Sequence, residues 1–208
     1  MISCALHINI INEATNWLFL VLFPVLFIAV LRKESVIGIL GETGLKRFDP
    51  GNAIRTLLVC ILYTGVILLV FSLSDQASDI LTSIPKILAK LPVYFCIMLL
   101  TAAFTEEFFF RGILQRYLIN ALKRPYTAIL FASILFGLYH FPFAFYLWDE
   151  TSGNILHSLS AIMINQAVTG YAFGFIYYKS NKNLWSSIIL HAFTNAAIMS
   201  LSVALSRS

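Results

Sequence analysis

The chain has 208 residues, 59% of them hydrophobic and only 12% charged, with a formal net charge of +4. Its mean hydropathy is +0.84, whereas a soluble globular chain runs nearer half apolar and a quarter charged. One soluble core of this size cannot hide that excess, so lipid is the expected solvent, and no Lys/Arg-rich run suits nucleic acid.

A span needs roughly 20 apolar residues, so about six spans use up most of the chain. The expectation is an all-α polytopic transmembrane bundle of about six to eight helices around a polar intramembrane cavity. It forms a single integral membrane domain over 1–208, with the motif-bearing core at about 91–205. The first apolar stretch has no basic segment before it and no small-residue cleavage site after it, which reads as an uncleaved first span over residues 17–31. A Gly-punctuated polar stretch follows, then a second span over 56–73 ending in a polar turn. Residues 80–90 mix Ile and Leu with Pro85, Lys86 and Lys90 and predict a short interfacial helix. A third span is expected over 91–104, a short amphipathic helix over 113–122, and further spans over 126–140, 155–178 and 184–205.

Basic residues cluster at 32–55, 111–124 and 179–182, while Asp75, Asp79, Asp149 and Glu150 occupy the alternate loops. The positive-inside rule puts the basic set in the cytoplasm, and the amino terminus outside a plasma (inner) membrane, with Lys86 and Lys90 against the pattern. Cys4, Cys60 and Cys96 are widely spaced and lack a CxxC, which reads as reduced residues rather than a disulfide or metal set.

Elimination narrows the chemistry. Of the ten acidic residues, Glu13, Glu34, Glu42, Asp49, Asp75, Asp79, Asp149 and Glu150 fall near span ends or in loops. Glu106 and Glu107 alone sit in strongly apolar sequence, where an ionisable group costs about 2.5–3.5 kcal/mol and usually marks function. Arg111 follows Glu107 by one helical turn and can neutralise it. Glu106 points about 100° away and is left to work. His7 and His157 lie near span ends and read as incidental. His140 closes an apolar helix one turn after Phe136. His191 and Asn195 share a helix face and could donate two hydrogen bonds to one point, as an oxyanion requires. Asn165 and Gln166, in mid-span, read as polar glue between helices, and Phe108 to Phe110 as packing or lipid contact.

Glu106-Glu107-x-x-x-Arg111, Phe136-x-x-x-His140 and His191-x-x-x-Asn195 resemble, in order, the three motifs of the CAAX protease and bacteriocin-processing family, also called the ABI family. Phe110-Arg111-Gly112 and Leu184-Trp185-x-x-Ile188 are similar in style. The resemblance implies an intramembrane endopeptidase of the glutamate type. Glu106 would be its general base, His140 would hold and polarise water, and His191 and Asn195 would stabilise the oxyanion. Glu107 and Arg111 would hold the helix in place. No cofactor is expected. Zinc on Glu106, His140 and His191 is the variant with suitable ligand types, while HExxH, GxSxG and a deep aspartate pair are absent. The expected substrate is a membrane-associated protein or peptide, lipidated ones included. A non-catalytic binding or bacteriocin-immunity protein using the same cavity is the alternative, and a proton-coupled transporter is a third. With these spans a helix of about 15 residues, rising about 22 Å, separates Glu106 near the cytoplasmic end from His140 at the far end. The two meet only if the helices tilt or break, or if the span boundaries shift by a turn or more; a boundary shift is the first expectation, with a helix restarting near Glu106 beside it.

Overall fold

The computed structural model describes residues 12–45, 49–72 and 77–205, so the readings of Cys4, His7 and Asp75 lie outside the described residues. Every described element is helical. α1 is Asn12–Arg32, α2 Val36–Glu42, α3 Pro50–Ser72 and α4 Ala77–Met98. After a bend comes α5 (104–122), then α6 Pro125–Tyr139 and α7 Phe141–Tyr146. α8 is Ile155–Lys179 and α9 Leu184–Leu205. Among the described residues, five helical stretches are long and apolar enough to cross a membrane: Asn12–Arg32, Ile80–Leu122, Pro125–Tyr146, Ile155–Lys179 and Leu184–Ala204. The chain is an integral membrane protein. Large apolar side chains such as Phe19, Phe27, Val30 and Leu62 stay on the outside, where lipid rather than water solvates them.

The stretch Ile80–Leu122 has 43 residues. A straight helix of that length is about 64 Å long, twice a hydrocarbon core of about 30 Å. It bends at Thr101, whose backbone is non-helical at φ −100°, ψ −105°. Two hydroxyls cover carbonyls around the bend: Thr101 Oγ1 donates to Ile97 O at 2.8 Å and Thr105 Oγ1 to Thr101 O at 3.0 Å. Such side chains re-satisfy backbone groups that lipid cannot. The expected interfacial helix at 80–90 is not a separate element, because α4 runs through both Pro85 and Pro92. Nor is 113–122 separate. Gly112 does not stop α5; a Cβ there would lie 3.1 Å from Thr43 Cβ and 3.2 Å from Thr43 O, so glycine lets the end of α2 pack closely on α5.

α5 and α6 form a tight hairpin. Lys123 ends α5 in the left-handed region at φ 55°, and Pro125 opens α6 at its first turn. Glu106 lies 16 residues before Leu122, and His140 lies 15 after Pro125, so arms of equal length bring the two to one level. The expected separation of Glu106 from His140 is therefore overturned, and both lie about 22 Å from the Lys123–Arg124 turn.

The loops gather at that basic end. Leu184 N donates to Gly44 O at 2.9 Å, and Asn52 Nδ2 to Ser180 O at 3.2 Å. Glu42 binds Arg32 at 2.9 Å and also Arg116. Arg111, counted with this basic set in the sequence, lies instead in the interior at 1% exposure. A core of Val25, Ile39, Phe108, Tyr177, Leu184 and Ile188 ties α1, α2, α5, α8 and α9 together beneath the site.

Candidate active site

α5, α6 and α9 deliver the motif residues to one place. The Glu106 carboxylate Oε2 lies 3.8 Å from His140 Nε2 and 3.9 Å from His191 Nε2. Both separations exceed a hydrogen bond and suit a small bridging molecule such as water. Glu106 Oε2 is buried and makes no protein hydrogen bond.

The partners of the other ring nitrogens assign the tautomers. His140 Nδ1 is 2.9 Å from the Phe136 carbonyl, which only accepts, so Nδ1 carries the proton. His191 Nδ1 is 2.9 Å from Glu107 Oε1, an oxygen that already accepts from Arg111 Nη1 at 2.7 Å. In their neutral forms both rings therefore turn a lone pair at Nε2 towards Glu106. The three facing atoms are all acceptors, and what fits between them is a molecule that brings hydrogens.

Behind this front, Glu107 and Arg111 are 0% and 1% exposed. Arg111 also donates to Gly170 O at 2.9 Å, and one turn on Gln115 Nε2 donates to Gly174 O at 2.9 Å. The two glycines of α8 admit these long side chains: a Cβ on Gly170 would stand 3.2 Å from Arg111 Nη2 and 2.8 Å from the Phe136 ring, and one on Gly174 would run into Gln115 Oε1. The Arg111 guanidinium lies 4.5 Å over that ring, and Phe173 stacks on His191 at 4.6 Å. The rings fix both cation and imidazole.

Glu106 and His140 open onto a cavity of about 240 Å³ that Asn195 also lines. Glu107 and Arg111 are sealed away from it and paired, the pairing being what the one-turn spacing predicts. Zinc would use Glu106, His140 and His191; among the described residues, no three His, Cys, Asp or Glu side chains are arranged as a metal-ligand set.

A family model for the Rce1-like type II CAAX prenyl endopeptidases matches residues 88–197, more than half of the chain. This chain belongs to that family. No curated protein and no solved structure matches it. The matched stretch covers Glu106 through Asn195 and leaves α1 to α3 outside.

Several lining residues escaped the sequence reading. Glu13 and Asn16 of α1, Tyr139 and Trp148 also face the cavity, and Tyr139 donates to Asn16 Oδ1 at 2.9 Å. A signal existed: Asn12, Glu13 and Asn16 fall on one helical face at the start of an apolar span. Gln115, one turn beyond Arg111, was equally visible as a polar residue on the Glu107–Arg111 face. The glue reading of Asn165 and Gln166 fails. Neither side chain bonds a neighbouring helix among the described residues; both line a second, larger groove.

Proposed function

We propose that this protein is an intramembrane endopeptidase that hydrolyses a peptide bond of a membrane-associated protein or peptide, with Glu106 as general base. The observation that carries the reading is the convergence of Glu106 Oε2 with two imidazole Nε2 atoms at 3.8 and 3.9 Å, in a chain of a protease family.

Water held among these three acceptors has its hydrogens engaged and an oxygen lone pair left to attack. As it adds to the scissile carbonyl, Glu106 takes its proton. The carbonyl oxygen becomes an oxyanion, and the Asn195 amide donates to it. His191 joins only in a form that already carries a solvent proton on Nε2, in which it takes no hydrogen from the water; Glu107 at its Nδ1 lies where it balances that charge. His140 Nε2, 3.8 Å from Glu106 Oε2, relays that proton to the departing amine, which closes the balance: one water consumed, an acid and an amine released. Glu107 and Arg111 hold α5 against α8 and touch no reacting atom.

The reading uses no cofactor. Lipidated proteins are within the substrate class, and the site is read as a plasma (inner) membrane activity with the amino terminus outside. The test compares cells expressing the wild-type chain with cells expressing Glu106→Gln, by mass spectrometry of new protein termini, with a chelator arm on purified membranes. Loss of a positioned general base lowers hydrolysis about 10²- to 10⁴-fold, so the termini should disappear in the variant and persist under chelation. Loss on chelation, restored by zinc, would convert Glu106, His140 and His191 into ligands. Equal termini from both chains would end the protease reading and favour a binding or immunity role.

A further inference from the structure

The cavity at Glu106 is too small for a polypeptide segment, but it has a neighbour. A groove of about 670 Å³ runs beside it, and Trp148 and Asn195 line both. Tyr63, Asn165, Gln166 and Thr194 complete its character. These polar residues are out of place in a span. Asn165 and Gln166 sit in the middle of α8, where the backbone widens into a π-helical stretch, Ile162–Ala167; such widenings recur at functional sites. Their side-chain amides make no hydrogen bond among the described residues. Thr194 is 2% exposed, and its hydroxyl is buried without a partner. Unpaired donors and acceptors at membrane depth are costly unless something else completes them.

We infer that this groove is the site that receives substrate backbone: it takes a locally unwound, extended segment of a membrane-inserted polypeptide and passes its scissile bond between Trp148 and Asn195 to Glu106. The inference rests on the protease reading and specifies the substrate conformation. A helical segment hides every carbonyl in its own hydrogen bonds, so hydrolysis in lipid first requires unwinding. Unwinding leaves several N–H and C=O groups without partners where no water can serve them. The Asn165 and Gln166 amides on the wall of a mainly apolar groove supply both donors and acceptors for such groups, and the buried Thr194 hydroxyl behind them is a further group without a partner. The apolar remainder, Val66, Ile164, Val168 and Ile198, accommodates side chains of the same segment.

The test uses the full chain carrying Glu106→Gln, purified and reconstituted in phosphatidylethanolamine–phosphatidylglycerol vesicles. A benzophenone amino acid replaces Ile164 in the groove wall or, as control, Leu130 on the exposed face of α6. Two biotinylated transmembrane peptides serve as probes, one all Leu/Ala and one with a central Gly-Gly-Pro break. The expected result is at least fivefold more capture of the broken peptide than of the helical one from position 164, and no such difference from 130. Asn165→Leu together with Gln166→Leu should lower that capture at least fivefold while thermal stability in the same vesicles holds. Thr194→Val, a near-isosteric change, should lower it in the same direction. Equal capture of both peptides, capture of lipid alone, or capture indifferent to the amides would overturn the inference. None of these readouts needs hydrolysis, so failure of wild type to make new termini would strike the protease reading alone.

Discussion

Glu42 and Glu107 each hold an arginine and differ in nearly everything else. Glu42 sits at the basic end with Arg32 at 2.9 Å and Arg116, its side chain 37% exposed. Hydrogen bonds from Arg32 and then Arg116 pull its carboxyl down to about 2 from an ordinary 4.5. Glu107 holds Arg111 at 2.7 Å with almost no exposure on either side, and shares the same oxygen with His191. Water weakens the first cluster and its salt dependence follows. Nothing weakens the second, but removing one partner strands the other in a medium that cannot solvate it. The same pair of residue types thus fastens loops at one end and holds the His191 imidazole in the interior.

The sharpest way to break this contrast is Arg111→Met. It should cost about 3–5 kcal/mol, the usual penalty for stranding a buried charge, read as thermal unfolding in nanodiscs. Glu107→Met added to it should recover part of the loss, since it removes the stranded charge but leaves His191 Nδ1 without its acceptor. A loss below about 1 kcal/mol would place the interior pair in the same class as Glu42.

Gly174→Ala probes the packing that lets Arg111 and Gln115 reach α8. The new methyl would run into Gln115 Oε1 and stand 3.0 Å from Ile129 Cγ2, an overpacking worth about 1–3 kcal/mol. Gln115→Ala in the same chain should relieve part of it, and a double-mutant cycle measures how much.

The smallest effect is expected from Glu42→Gln, below about 1 kcal/mol and shrinking further in high salt. Its pH dependence has a fixed sign. The folded value lies below the ordinary one, so the contribution of Glu42 is full above about 4.5 and fades as pH falls towards about 2. Wild type should therefore lose its small advantage over the variant across that window, by thermal unfolding at stepped pH.

Much of the site was legible because its logic is local. The one-turn spacing of Glu107 and Arg111 predicts their pairing, and the 100° offset leaves Glu106 out of it; the structure has both. His140, His191 and Asn195 stood out as polar residues in apolar helices, and the resemblance ordered them. Glu13 did not stand out, because its position at a span start disguises a residue that reaches the Glu106 cavity from another helix. Asn165 and Gln166 looked like glue, since sequence shows that an amide is in mid-span and not whether a partner helix faces it.

Hydropathy along the chain determined the solvent, the helical class and most span positions, because in lipid each segment must satisfy its own backbone and therefore reports its own structure. It misjudged 80–122, where prolines that end helices in water lie inside α4 and a threonine with no breaker signature carries the bend. The meeting of Glu106 with His140 belongs to the tertiary structure. It depends on a bend before α5, a short turn after it and glycines on α8 that let the arms close, and each of these acts between segments that are far apart in the chain.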